Sequence, residues 1–195
     1  PRRSELRAWL AEHPSPTSAE LHEAGLLVPH WPRPWGVEAD PIHQLIIDEE
    51  LKAAGVRETS VSTNPIGVGW AAPTILLAGT EWQKERFLPK IFSGEEQWCQ
   101  LFSEPDSGSD LASLATRAVR DGDEYIINGE KIYVTSGERA DCVVVWASVD
   151  RSLGRAAIKS FIVEKGTPGM EVVRLEKKLG IKASDTAAIT FTDCR

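Results

Sequence analysis

The chain has 195 residues, 42% of them hydrophobic and 26% charged, and a net charge of −7. This is the balance of a globular protein with a core of useful size. The acid excess is shared, with 9 Lys/Arg against 13 Asp/Glu over residues 1–95 and 13 against 16 over residues 96–195, so neither half offers the basic surface that nucleic acid or an anionic membrane needs.

The first half reads as helices. In SELRAWLAEH, Ser4 is a cap candidate and Leu6, Trp9, Leu10 and His13 share a face. SPTSAELHEAGLL carries a capping-box signal at Thr17 or Ser18 and a stop at Gly25. VPHWPRPWG is too rich in proline to be helical throughout. In DPIHQLIIDEELKAAG, Asp40 caps, Pro41 takes the first position and Gly55 stops the helix, with Ile42, Leu45, Ile46 and Leu51–Ala54 as the apolar face. NPIGVGWAAPTILLAG reads as a buried helix with close backbone packing, and TEWQKERFLPKIFSG as an amphipathic helix from Thr80 to Gly94.

After Gly94 the pattern turns to strands, seven short ones: QWCQLFS, ATRAVRDG, EYIING, EKIYVTSG, CVVVWASV, KSFIVEKG and AAITFTDC. Asn128-Gly129 is the strongest hairpin signal. The reading is α+β: an all-α helical domain over 1–95, then an antiparallel β-barrel or sandwich over 96–195.

Several classes of chemistry find no support. Four histidines fall in the helical half without HxxxH or HExxH spacing, and no P-loop, GxSxG or strand-borne GxGxxG is present, so no metal is expected. Cys99, Cys142 and Cys194 have neither metal spacing nor a paired pattern. Their sparse use fits a reducing compartment, the cytoplasm or one such as the mitochondrial matrix. No apolar run is long enough for a membrane helix and no signal peptide opens the chain. The missing initiator Met and the featureless FTDCR end predict further residues on both sides.

Three segments are candidates for binding. LFSEPDSGSDLAS holds four serines, one glycine, one proline and three acids in 13 positions. It reads either as a polar surface turn or as an anion cradle in which Gly108 takes a positive φ beside Ser107 and Ser109. In Lys131-Ile-Tyr-Val-Thr135-Ser136-Gly137, strand alternation puts Tyr133 and Thr135 on one face, where they either cover a flat heterocycle or form an ordinary half-buried strand. The third, Lys177-Lys-Leu-Gly-Ile-Lys-Ala-Ser184-Asp-Thr186, is a phosphate-facing cluster or a solvated loop.

Taken in this order, the three segments resemble the acyl-CoA dehydrogenase family of flavoproteins. SEPDSGSDLAS resembles that family's signature, GDEYIINGEKIYVTSGERAD the segment after it, and TPGMEVVRLEKKLGIKASDTAAITFTDCR the end of its β domain. LLVPHWPRPWG, QKERFLPKIFSGEEQWC and the NPIGVGWAAPTI helix fit its N-terminal domain. The resemblance implies a third part, a C-terminal helical bundle carrying the glutamate base, that is absent from this chain, so no catalytic residue is assigned and Glu104 ties down its loop.

The resemblance also implies FAD. It assigns cofactor contacts to Gln100, Leu101, Phe102, Ser103, Gly108, Ser109, Tyr133, Val134 and Thr135. Phe102 backbone and Ser103 hydroxyl face the pyrimidine edge, Tyr133 packs on the ring, and Thr135 hydroxyl meets N5. Gly108 and Ser109 sit near the pyrophosphate, and Ser109 and Lys178 contact the acyl-CoA, with Ser184 and Thr186 by the CoA arm. The implied reaction is α,β-dehydrogenation of an acyl-CoA thioester in fatty-acid or lipid breakdown. A carboxylate takes the α-proton, the β-hydrogen leaves as hydride to N5, and electrons pass to an electron-transfer flavoprotein. The assembly is a homo- or hetero-oligomer. Two alternatives remain at this stage: a non-catalytic subunit of a heteromeric dehydrogenase, and a related flavin-dependent acyl-CoA oxidase. Leu101 and Phe102 are bulkier than the signature usually shows, Tyr133 replaces the commoner Trp, and Trp-Gly-Val follows Pro34 in place of aromatic-Gly-Gly. These departures leave the acyl group open.

Overall fold

A computed structural model describes residues 2–56 and 59–195. The chain divides into two compact units, Pro1–Glu95 and Glu96–Arg195. The first is helical: α1 Arg2–Glu12, α2 Ser18–Glu23, α3 Pro41–Ala53, α4 Ser60–Thr63, α5 Ala72–Ala78 and α6 Glu81–Ser93.

Local chemistry sets several helix ends. Thr17 and Glu20 form a reciprocal capping box on α2, and Thr80 and Gln83 one on α6. The Asp40 carboxylate accepts the His43 N–H at 2.7 Å, with Pro41 in the first turn of α3. Gly94, at φ 81°, ends α6 in the left-handed conformation that glycine adopts without steric cost. Ser4 is no cap, because α1 already begins at Arg2.

The buried face of α3 differs from the expected one. Ile47 and Glu50 are buried, whereas Ile42 and Leu45 are 65% and 58% exposed. Two interactions with α1 turn the helix this way. Ile47 packs with Leu6 and Leu10, and Glu50 accepts Arg7 Nε at 2.7 Å and an Arg3 guanidinium nitrogen at 2.6 Å. Those two arginines, Arg7 first, bring the Glu50 carboxyl down to about 2. The NPIGVGWAAPTILLAG segment is not wholly buried either. It is a π-helical turn, Gly67–Ala71, running into α5, and Trp70 and Leu77 are exposed.

The Pro/Trp connector folds back over α6. Phe92 meets His22, Trp31 and Trp35 at ring-centroid distances of 4.5, 5.5 and 6.3 Å. Burial pushes the His22 pKa below 6.5, and its Nδ1 is buried without a hydrogen-bond partner among the described residues. In the unfolded chain His22 protonates near 6.5, before it does so in the fold. Stability is therefore expected to fall as pH drops through that value, and to level off once the folded-state pKa is passed. Urea midpoints between pH 7.5 and 5.5 test this: His22→Leu should flatten the drop, and an unchanged slope would assign it to other groups.

The second unit is one curled sheet. Its strands are β1 Trp98–Leu101, β2 Arg117–Asp121, β3 Glu124–Thr135, β4 Cys142–Ser148, β5 Ile158–Glu164, β6 Met170–Leu175 and β7 Thr186–Cys194. The order is β1-β4-β2-β3-β7-β6, with β5 also on β4. The sheet is mixed, where the sequence suggested all-antiparallel pairing. β1 runs parallel to β4 from Trp98↔Cys142 to Leu101↔Val145, and β2 touches β4 at the parallel bridge Arg117↔Ser148. Because β5 pairs with the whole of β4, β1 and β2 share its other edge in succession. The intervening chain, 102–116, leaves the sheet between them. This is the serine-rich loop.

The seven strands are not the seven expected. EYIING and EKIYVTSG are one 12-residue strand, β3, and MEVVRL supplies β6. Asn128-Gly129 makes no hairpin turn. Gly129 lies at a register shift inside β3 with φ 155°, and a Cβ there would stand 2.3 Å from Thr116 Oγ1. The glycine serves close backbone approach, and the hairpin turns instead at Gly122, φ 65°. Gly129→Ala is expected to cost about 1–3 kcal/mol by overpacking, read as a lower urea midpoint; a neutral result would show that Thr116 gives way.

Candidate functional site

The serine-rich loop is anchored by an ion pair inside the sheet unit. Lys131 is fully buried, and its Nζ donates to Glu104 Oε1 at 2.8 Å and to the Phe102 carbonyl at 3.1 Å. The Glu104 carboxylate also accepts the backbone N–H groups of Ala115 at 2.5 Å and Thr116 at 3.1 Å. Burial raises the Glu104 pKa, but the bonds from Lys131, Thr116 and Ala115 outweigh it and bring it below the usual carboxylate value. Burial pushes Lys131 down, against the pull of Glu104. Glu104, with all these donors on it, is a structural carboxylate and not a free base. The sequence alone gives Lys131 no role. The available signal was a lysine heading the run Ile132-Tyr133-Val134 on a strand expected to be half-buried.

Three further bonds shape the loop. Ile132 N–H donates to the Ser103 carbonyl at 2.9 Å, fastening the loop to β3. Glu104 and Ser107 exchange backbone bonds at 2.7 and 3.2 Å. The hydroxyls of Ser107 and Ser113 both donate to the Asp110 carbonyl, at 2.9 and 2.8 Å. Gly108 is exposed with open space around its Cα, and it is not among the residues of positive φ. The anion nest expected from a left-handed Gly108 is therefore not formed; the tight turn is closed by the Glu104–Ser107 bridge instead. Ser109 is exposed beside it.

β3 presents the second segment. A register shift between Lys131 and Val134 interrupts the alternation, and Tyr133 takes φ 56°. Lys131 and Val134 consequently both point inward, and Tyr133 and Thr135 are both exposed, Tyr133 by 66%. The side chains of Gln100, Leu101 and Val134 are buried in the sheet unit, so any ligand contact from these positions is made by backbone. The Phe102 ring stacks on Trp146 at 5.3 Å and 17°. Trp146 was not foreseen, since the two residues lie 44 positions apart and meet only through β1–β4 pairing.

The third segment forms a cavity of about 640 Å³ lined by Glu138, Arg139, Lys178, Ser184, Asp185 and Thr186 among others. Lys178 Nζ donates to the Ser184 carbonyl, and Arg139 Nε to Asp185 at 2.6 Å. Thr186 pairs with Thr135 across β7 and β3, which brings the cavity edge next to the exposed β3 face. The lining does not include Ser103, Ser109, Tyr133 or Thr135. Among the described residues no cluster of His, Cys, Asp and Glu has the makings of a metal site, and no helix is long and apolar enough to cross a membrane. The three cysteines are buried free thiols, and burial raises Cys99 to about 12.

A helical unit followed by a curled mixed sheet has counterparts among known proteins. Residues 1–95 match the acyl-CoA dehydrogenase N-terminal domain, and residues 99–194 the acyl-CoA dehydrogenase middle domain. The chain belongs to the acyl-CoA dehydrogenase family. Acyl-CoA dehydrogenase FadE34 of Mycobacterium tuberculosis is 45% identical over 161 residues, 82% of this chain and 22% of its own length. The crystal structure of an acyl-CoA dehydrogenase from Geobacillus kaustophilus superimposes with a TM-score of 0.71 at 32% identity, over 98% of this chain and 54% of that one. A chain in the structure of the electron transferring flavoprotein of Acidaminococcus fermentans gives 0.72 at 35% identity, over 91% and 46%. The chain thus spans between about a fifth and a half of these relatives.

Proposed function

We propose that the sheet unit supplies one wall of a FAD site, and that the whole protein carries out α,β-dehydrogenation of an acyl-CoA thioester and passes the electrons to an electron-transfer flavoprotein. The observation that carries this reading is the exposed pair Tyr133 and Thr135 on β3, next to a loop that Ser103 and Ile132 fasten to the same strand. A flat aromatic surface, a hydroxyl and an edge of backbone groups are what an isoalloxazine ring needs from a protein. Family membership and the likeness to dehydrogenase structures support the reaction class. The likeness to a chain in an electron transferring flavoprotein structure supports the electron acceptor.

In this reading Ser103 and the backbone of residues 100–102 hold the pyrimidine edge, Tyr133 covers the ring, and the Thr135 hydroxyl donates at N5. Ser109, with Gly108, lies toward the pyrophosphate and the acyl-CoA, and Lys178 toward the CoA arm. FAD, when bound, supplies the hydride acceptor. The proton-abstracting base is not among these residues, since Glu104 is already held by three donor groups.

Thr135→Val tests the arrangement, because it keeps the shape and removes the hydroxyl. Flavin reduction by an acyl-CoA in the whole protein is expected to slow about tenfold, the worth of one hydrogen bond, with FAD content retained. Stopped-flow bleaching of the flavin band measures it, and an unchanged rate would remove Thr135 from the site.

A further inference from the structure

We infer that the buried Lys131–Glu104 pair is a positioning device that aims the Ser103 N–H out of the loop as a fixed, charge-backed hydrogen-bond donor to the ligand. The flavin part of this inference rests on the reading above. The Phe102–Ser103 peptide is trans, and in a trans peptide the carbonyl and the following N–H point in opposite directions. Lys131 Nζ holds the Phe102 carbonyl at 3.1 Å from the buried side, so the Ser103 N–H faces away from the ammonium. The next carbonyl, that of Ser103, is held by Ile132 N–H at 2.9 Å. Two successive carbonyls are thereby fixed to β3, and the N–H between them takes no protein acceptor among the described residues.

Charge strengthens this donor. A cation on the carbonyl oxygen draws electron density along the peptide and makes its N–H the better donor. The Glu104 carboxylate keeps the lysine ionised in its buried position and is itself held by the Ala115 and Thr116 N–H groups. A pair that merely filled space would bond side chain to side chain. This one commits a donor to the peptide at which the chain leaves the sheet between β1 and β2. A ligand acceptor that gains negative charge on reduction, such as a flavin pyrimidine carbonyl, would be held more tightly in its reduced form. Lys131 and Glu104 act through the peptide and so are positioning residues.

The test uses the whole protein with Lys131→Met and Glu104→Gln combined, which removes both charges and leaves no lone buried ion. Without flavin, the Ile132 amide is expected to exchange with solvent at least about tenfold faster than in the wild type, as the loop comes off β3. With flavin, the variant is expected to hold reduced FAD about tenfold less tightly relative to oxidised FAD, a fall of about 30 mV in the two-electron potential. Wild-type exchange at Ile132 together with a wild-type potential overturns the inference. Should the double variant not fold, the wild type alone decides: the Ser103 amide is expected to become protected when FAD is added, and continued exposure in the flavin-bound protein overturns the inference. A wild type that binds no FAD overturns the functional reading instead, and the flavin-free exchange at Ile132 still decides whether the pair fixes the loop.

Discussion

Phe92→Ala is expected to destabilise the protein by about 3–5 kcal/mol, the range for deleting a buried phenylalanine side chain. Phe92 is fully buried on α6 and touches three other rings, those of His22, Trp31 and Trp35. Two of these come from the VPHWPRPWG connector, which has no regular helix of its own to hold it. The loss combines the transfer energy of the ring with a cavity that the connector's backbone bonds, such as Trp31 N–H to the Val28 carbonyl at 2.9 Å, prevent from collapsing fully. Urea denaturation followed by helical circular dichroism gives the value. Leu77→Ala is the control, since Leu77 is 85% exposed and its truncation should stay within about 0.5 kcal/mol. A Phe92 effect as small as the control would mean that the aromatic cluster contributes little.

Lys131→Met alone is expected to cost about 3–5 kcal/mol, because it leaves the Glu104 carboxylate buried without its counter-ion. The two remaining N–H donors, Ala115 and Thr116, satisfy part of that charge. The variant's penalty should depend on pH with a definite sign. Without the ammonium, burial raises the Glu104 pKa above its unfolded value, so the unfolded state binds fewer protons there. Stability is then lost as pH rises through the unfolded and then the folded pKa, and the penalty should be smaller at pH 5 than at pH 7.5. Thermal or urea unfolding at the two values measures it. A penalty independent of pH would show that lost packing of the lysine stem, and not the stranded carboxylate, is what matters. This measurement concerns stability; the double variant removes the charge problem and so isolates the effect on the loop.

The features legible in the sequence are the ones that neighbouring residues settle among themselves. The caps at Thr17, Asp40 and Thr80 and the stop at Gly94 were readable because a helix end is satisfied by groups within three or four positions. The change from helical to strand character after Gly94, and with it the α+β class, was readable for the same reason. The order of three segments was enough to point to the family.

What failed depended on partners far along the chain. A two-residue turn signal at Asn128-Gly129 was overruled because Thr116 packs against that glycine and β7 pairs across it. The inward face of α3 was set by Leu6, Leu10, Arg3 and Arg7 of α1 and not by the helix's own apolar spacing. The parallel β1–β4 pairing, which aligns residues 44 apart, left no periodic trace.

The candidate site divides along the same line. The sequence by itself determined which residues are on offer: hydroxyls at Ser103, Ser109 and Thr135, an aromatic at Tyr133, and cations near Lys178. The tertiary structure decided which of them face outward. The register shift in β3 exposes Tyr133 and Thr135 while burying Lys131, and only burial turns that lysine from a solvated charge into an anchor for Glu104 and the Phe102 carbonyl. The physical reason is that solvation is a property of the folded environment: the same ammonium is unremarkable in water, and inside the sheet it must find oxygen partners, which the fold brings from 27 and 29 residues away.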